Sequence, residues 1–231
     1  MRKTSKYVAE HFGKEKQYPD AVSTYRRTLA GLPDQGAVVV AIGPLSTLAQ
    51  LMKSGGDKYS PLSGEKLFEQ KVYAVITMAG KYPEGREYNI ICDPGSAIAF
   101  FDHCRVPLFF SDFDVGYTVK CGFPARSEPQ SDNPLYMSYL LYCTGGDHTR
   151  EQMNSCYDLT AVHFAFEGIS DEFGVSDTER FFVRDDGYNV FTPDPDGNCR
   201  RLIKKCSDQK LGFYFDSILS SFERKCMEGE A

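Results

Sequence analysis

The chain has 231 residues, 42% of them hydrophobic and 25% charged. That composition excludes a disordered or collagen-like polymer, and a chain of this size buries roughly 70% of its unfolded surface. A formal charge of -6, with Lys and Arg spread along the sequence instead of massed in one stripe, argues against nucleic acid as a partner.

No apolar stretch is long enough for a membrane span, and the opening Met1-Arg2-Lys3-Thr4-Ser5-Lys6 leads into polar sequence. A cytoplasmic protein with no membrane partner is expected. The eight cysteines stand far apart without a C-x-x-C pair, beside only four histidines, so reduced thiols are expected in place of a disulfide framework or a zinc site.

In chain order, Ala21, Val22, Tyr25 and Leu29 follow Asp20 at helical spacing and predict a helix that Asp20 caps and that ends near Gly31. The β-branched run Ala37 to Ile42 predicts a strand buried on both faces, and Leu45, Leu48, Leu51 and Met52 predict the helix that follows it. A surface loop from Lys53 leads to a short helix near Glu65 to Gln70, then to a second buried strand, Val72 to Met78. Lys81 to Arg86 reads as a loop, Asp93-Pro94 opens a helix through Phe101, and Pro107 to Ser111 is a third strand. Strand, helix, strand, helix, strand is the order of an α/β fold: an open, mostly parallel sheet with helices on both faces.

Beyond Gly122 the pattern loosens. Helices are expected at Leu135 to Tyr142, at Leu159 to Phe166 behind an acidic cap at Asp158, and at Gln209 to Lys225. Arg180 to Thr192, with the turn signal Asp186-Gly187, predicts a β-hairpin. One domain spanning 1–231 is expected.

In an open parallel sheet, ligands bind beyond the carboxyl ends of the strands. There Glu87 and Asn89 stand two apart, the spacing that turns both toward one face of an extended segment, where they suit a pair of vicinal hydroxyls. The competing reading is capping. Asp158 is either a helix cap or a ligand, and Asp112 with Asp114 are turn residues or a pair of cation ligands. Asp194-Pro195-Asp196-Gly197-Asn198 imitates the start of an EF-hand loop but has Lys205 at the twelfth position, and reads as a turn. His163, on the apolar side of its helix, reads as a core histidine.

Together these segments resemble the inosine-uridine preferring nucleoside hydrolase family. Ile42-Gly43-Pro44-Leu45-Ser46-Thr47-Leu48-Ala49 is similar to its strand-end turn. Thr77-Met78-Ala79-Gly80 and Glu87-Tyr88-Asn89 are similar to its M-G-G and E-F-N motifs, and Asp93-Pro94 to its D-P. Phe110-Ser111 through Gly116, Tyr157-Asp158-Leu159-Thr160-Ala161-Val162 and Asp186-Gly187-Tyr188-Asn189 follow in register, so the resemblance runs over about 18–219.

The resemblance implies calcium-dependent hydrolysis of the N-glycosidic bond of a ribonucleoside, giving ribose and free base through an oxocarbenium-like transition state. By position, Glu87 and Asn89 bind ribose hydroxyls and Met78 lines the sugar pocket. The Ile42 carbonyl and Asp158 bind calcium, and Tyr157 stands where many members have a His. The family's aspartate cluster D-x-D-x-x-x-D-D, which supplies most calcium ligands and the general base, has no counterpart in this sequence. The fold is therefore expected to be N-terminally truncated, with calcium weakly bound or absent and hydrolysis negligible. A sheet edge is expected to be exposed, driving association with a second copy. The readings that follow are an N-terminally shortened nucleoside hydrolase whose longer form is an ordinary hydrolase, a nucleoside-binding pseudoenzyme, or an association scaffold.

Overall fold

The computed structural model describes residues 18–130 and 133–228. They divide into two compact units, one formed by Pro19–Tyr117 and Tyr157–Lys205, the other by Thr118–Cys156 with the chain from Cys206 on. Among the described residues no helix is long and apolar enough to cross a membrane.

In the first unit, α1 (Ala21–Ala30) starts where Asp20 accepts the Ser23 amide and stops at Gly31, as the capping signals predict. It is followed by β1 (Ala37–Ala41), α2 (Ser46–Lys53), α3 (Gly64–Lys71), β2 (Val72–Thr77), β3 (Glu84–Arg86), α4 (Tyr88–Ile91), α5 (Pro94–His103), β4 (Leu108–Phe110) and α6 (Phe113–Tyr117). After the second unit's β5 (Lys120–Phe123), α7 (Pro134–Thr144) and β6 (Gln152–Ser155), the chain returns with α8 (Tyr157–Glu167), β7 (Phe173–Val175), β8 (Glu179–Val183), β9 (Tyr188–Pro193) and β10 (Cys199–Lys204). The last helix, α9 (Asp208–Glu228), belongs to the second unit.

One sheet runs in the order β1-β2-β4-β10-β8-β9-β3, with β7 added on β10. Pairs β1–β2, β2–β4 and β4–β10 are parallel, and the remaining pairs are antiparallel. The expected α/β architecture is present: an open sheet with a parallel core and helices on both faces. Strand alternation sorts the faces. Leu108 and Phe110 of β4 enter a core shared with α1, α2, α3 and α5, whereas Phe109 packs on Phe164 of α8 at 5.6 Å between ring centroids.

Several expectations are corrected. Strand β1 is not buried on both faces, with Val38 46% exposed, because it ends the sheet and has a strand on one side only among the described residues, whereas β2 is buried on both faces from Ala74 to Thr77, as expected, with Tyr73 alone exposed. Residues 84–86, read as loop, pair with β9 as β3. Asp158 lies inside the first turn of α8 and is not its cap. Strand β10, unmarked by any clean alternation, completes the parallel core.

The predicted hairpin is β8–β9, closed by a turn in which Gly187 adopts a positive φ of 77°. Asp194 accepts the Gly197 and Asp196 amides as a turn residue. His163 is buried against Phe173.

In the second unit β5 and β6 form an antiparallel pair with Lys120 opposite Ser155 and Phe123 opposite Gln152. Tyr136 and Tyr139 of α7 set their rings edge-on to Phe123, each at 5.4 Å. Asp216 of α9 accepts the Gly122 amide at 2.9 Å.

Candidate functional site

The carboxyl ends of β1, β2 and β4 are linked through backbone. Met78 N–H donates to the Ala41 carbonyl and Ser111 N–H to Thr77, so the residues after the three strands share one end of the sheet. Gly80 turns the chain there with φ +80°, and a side chain would meet Phe181 and Phe191 within 3.1–3.2 Å. Only glycine combines that backbone angle with that closeness. The turn aims the Gly80 carbonyl at Phe113 N–H and its own N–H at Glu87.

Glu87 and Asn89 are both buried there, but not as two side chains on one extended face. Glu87 is the N-cap of α4, and its carboxylate accepts from the backbone N–H groups of Asn89 at 2.9 Å, Gly80 at 3.4 Å and Ile90 at 3.4 Å. The Tyr88 backbone adds to the donors that favour the charged carboxylate, so backbone N–H groups take up most of its about four acceptor sites. Burial raises its pKa above the ordinary value, and these backbone donors oppose that rise. Asn89 Nδ2 donates to the Met78 carbonyl at 3.0 Å and lies 3.3 Å from its sulfur. Glu87, Asn89 and Met78 thus form one contiguous group.

The resembling strand-end turn and D-P segment also meet. The Ser46 hydroxyl donates to Asp93 at 2.6 Å while Asp93 caps α5 through Ser96 N–H. The Ser46 bond, then Ser96, holds the Asp93 carboxyl below its usual value.

Helix α8 reaches the same end of the sheet from the opposite face. Thr160 spends its hydroxyl proton on the Tyr157 carbonyl at 2.8 Å, so in the 2.7 Å contact with Ser111 it is Ser111 that donates. Tyr157 lies tilted against Phe113 at 5.3 Å and Phe113 stacks with Tyr117 at 5.0 Å, a cluster of aromatic faces with the Lys81 ammonium 4.7 Å from the Phe113 ring. Asp158 is exposed in that first turn, and burial of its carboxyl's surroundings raises its pKa. Among the described residues no hydrogen bond joins it to Glu87, Asn89 or Ile42.

Calcium requires six to eight oxygen ligands. Among the described residues no group of three or more His, Cys, Asp or Glu side chains is placed to hold a metal ion. Asp158 and the Ile42 carbonyl, the positions the resemblance assigns to calcium, lie outside any such group. Asp112 and Asp114 do not converge either: Asp112 accepts the Asp114 amide at 3.0 Å as a turn residue, and Asp114 is exposed.

Two further groups here are not among the residues assigned to the site from sequence. Arg201 on β10 makes a two-pronged pair with Glu179, Nε to Oε2 at 2.9 Å, and lies 3.9 Å from Asp112 and 3.3 Å from the centre of the Tyr82 ring. Asn189, fully buried, exchanges hydrogen bonds with the Lys81 backbone at 3.0 and 2.9 Å. Its place in the Asp186-Gly187-Tyr188-Asn189 segment was a usable signal. An Arg in an unrecognised strand was not.

Asp112 yields a pH prediction. Burial pushes its carboxyl up to about 6, against the Asp114 amide and the Arg201 charge. Between about pH 4 and 6 the native state keeps a proton that the unfolded chain has released, so stability falls as pH rises through that window, by up to roughly 3 kcal/mol. Asp112→Asn removes this dependence. Urea unfolding of both proteins at pH 4.5 and 7 is expected to show the variant gaining on the wild type at the higher pH. An unchanged difference between the two would refute it.

The chain superimposes on the crystal structure of an inosine-uridine preferring nucleoside hydrolase from Bacillus anthracis with a TM-score of 0.55, at 16% sequence identity, over 84% of this chain and 63% of that one. The fold is nucleoside hydrolase-like. The chain spans about 63% of the length of the structure it matches. No protein-family model and no curated protein matches it.

Proposed function

We propose that this nucleoside hydrolase-like chain binds a ribonucleoside at the carboxyl ends of β2 and β4 and, by itself, hydrolyses it negligibly. The observation that carries the reading is the buried Glu87–Asn89–Met78 group at the end of β2, joined by its own hydrogen bonds. It offers a carboxylate acceptor and an amide to ribose hydroxyls, and Tyr157 and Tyr117 offer flat faces to a planar base. Base stacking on an aromatic ring is worth about 1–3 kcal/mol in other nucleic-acid sites.

Turnover demands more. Glycosidic hydrolysis runs through an oxocarbenium-like transition state and needs a positioned base to activate water within hydrogen-bond reach. Glu87 is occupied by three backbone donors, and the carboxylates at this end of the sheet do not converge on a common point. Binding without chemistry is what such residues support.

The test is titration of the purified chain with inosine and with uridine, in calcium and in EDTA, followed by a base-release assay on the same samples. Binding that calcium does not strengthen, abolished in Glu87→Ala, with base release no faster than in buffer, is the expected result. Calcium-dependent release at enzyme-like rates would overturn the non-hydrolytic part. Absence of binding would overturn the proposal that these residues hold a ribonucleoside.

A further inference from the structure

In the second unit two reduced thiols face each other. Cys121 on β5 and Cys156 just after β6 lie on the same face of the antiparallel pair as diagonal neighbours, two positions off the direct register, since Cys121 is opposite Asn154. Both are buried. Their sulfurs are 3.0 Å apart, with Cys156 S–H donating to Cys121 Sγ. Backbone holds them there, because Cys156 N–H donates to the Val119 carbonyl at 2.9 Å, extending the ladder past Ser155. A disulfide bond is about 2.04 Å long, so closure brings the two sulfurs together by roughly 1 Å.

We infer that Cys121 and Cys156 are a disulfide-forming pair, closed by a small hydroperoxide oxidant into a covalent link between β5 and β6. Cys121 is the attacking sulfur. The Cys156 thiol and then the Tyr139 hydroxyl, 3.6 Å away, hydrogen-bond to it and lower its pKa, while the same pairing raises that of Cys156. The Cys121 thiolate attacks one peroxide oxygen, the O–O bond breaks, and the departing hydroxide takes a proton to become water. Cys156 sulfur then displaces the oxygen of the Cys121 sulfenic acid, its own proton leaving with that oxygen as a second water. In sum, two thiols and one hydrogen peroxide give one disulfide and two waters. The product closes a loop that carries α7 and restricts the unfolded chain between the two strands.

The experiment treats the full chain with hydrogen peroxide, alkylates remaining thiols under denaturing conditions, and maps tryptic peptides without reduction. Cleavage after Lys120, Arg126, Arg150 and Arg180 places Cys121 in the peptide 121–126 and Cys156 in 151–180, each as the sole cysteine. The expected product is these two peptides linked, lighter by two hydrogens than their sum, released by dithiothreitol, and lost in both Cys121→Ser and Cys156→Ser. In urea the same oxidation is expected to scatter the links among other cysteines. Recovery of both peptides alkylated while the exposed Cys92 is oxidised, or the same mixture of links with and without urea, overturns the inference.

Discussion

Replacing Arg26 with methionine is expected to lower the free energy of unfolding by about 3 kcal/mol, the low end of the range for removing one partner of a buried ion pair. Arg26 is 2% exposed although it carries a charge. Its guanidinium donates to the Ser54 hydroxyl at 3.0 Å and to the carbonyls of Ser60 and Leu62 at 2.9 and 2.8 Å, and its Nε lies 3.0 Å from Asp57. One side chain on α1 therefore stitches down the loop between α2 and α3. Asp57 holds that loop from within, accepting the Tyr59 and Ser60 amides, and the Arg26 bond lowers its pKa.

Methionine fills much of the same volume but leaves the two carbonyls without a donor in a dry setting. Asp57 is partly exposed and regains water, which is why the upper end of the range is not reached. Arg26→Lys keeps the charge without the planar fork and is expected to recover only part of the loss. Urea unfolding at neutral pH reads both variants. A loss below about 1 kcal/mol for methionine, the size of an exposed pair, would show that the network contributes little.

Position 26 also shows how far the sequence could be read. Val22, Tyr25 and Leu29 marked the buried stripe of α1, and residue 26 lies on that stripe by the same i, i+3, i+4, i+7 rule. Hydropathy nonetheless places an Arg in solvent, and only the loop carbonyls that converge on it, 34 and 36 residues later, explain its burial. Local signals of short range were read well: the Asp20 and Asp93 caps, the Asp186-Gly187 turn and the strands β1, β2 and β4 all rest on neighbours in sequence.

Signals that depend on distant pairing were not. Strand β10 presents Arg200, Arg201 and Lys204 among its six residues and becomes a strand because β4 and β8 flank it. For the site, the resemblance placed Glu87, Asn89 and Met78 at one strand end, and the structure joins them. What spacing alone concealed was that Glu87 turns back on its own helix as a cap. Two residues apart reads as one face only if the backbone stays extended, and α4 begins between them.

The second large effect is expected at Gly64, where alanine should cost about 3 kcal/mol or more, above the usual range for overpacking because the obstacle is backbone. Gly64 is the first residue of α3, behind the Ser63 cap, and its N–H donates to the Ser54 carbonyl at 2.7 Å. A Cβ there would run into the Leu51 carbonyl oxygen, lie 2.7 Å from the carbonyl carbon of Leu51 and meet the Ser54 hydroxyl at 2.5 Å. The last turn of α2 cannot retreat cheaply, since Leu51, Leu67 and Phe68 are all in the core and any separation of α2 from α3 opens it. Gly55→Ala is the matched control: no atom lies within 4 Å of its added carbon, so its effect should stay within about 0.5 kcal/mol.

Ser54 links this site to the first prediction, because its hydroxyl accepts from Arg26 and donates to the same Leu51 carbonyl at 2.7 Å. Once Gly64→Ala has displaced that carbonyl, the Arg26–Ser54 bond has already been strained, and the double variant is expected to lose less than the sum of the single losses. Additive losses in the double-mutant cycle would mean that the two contacts stabilise the loop independently.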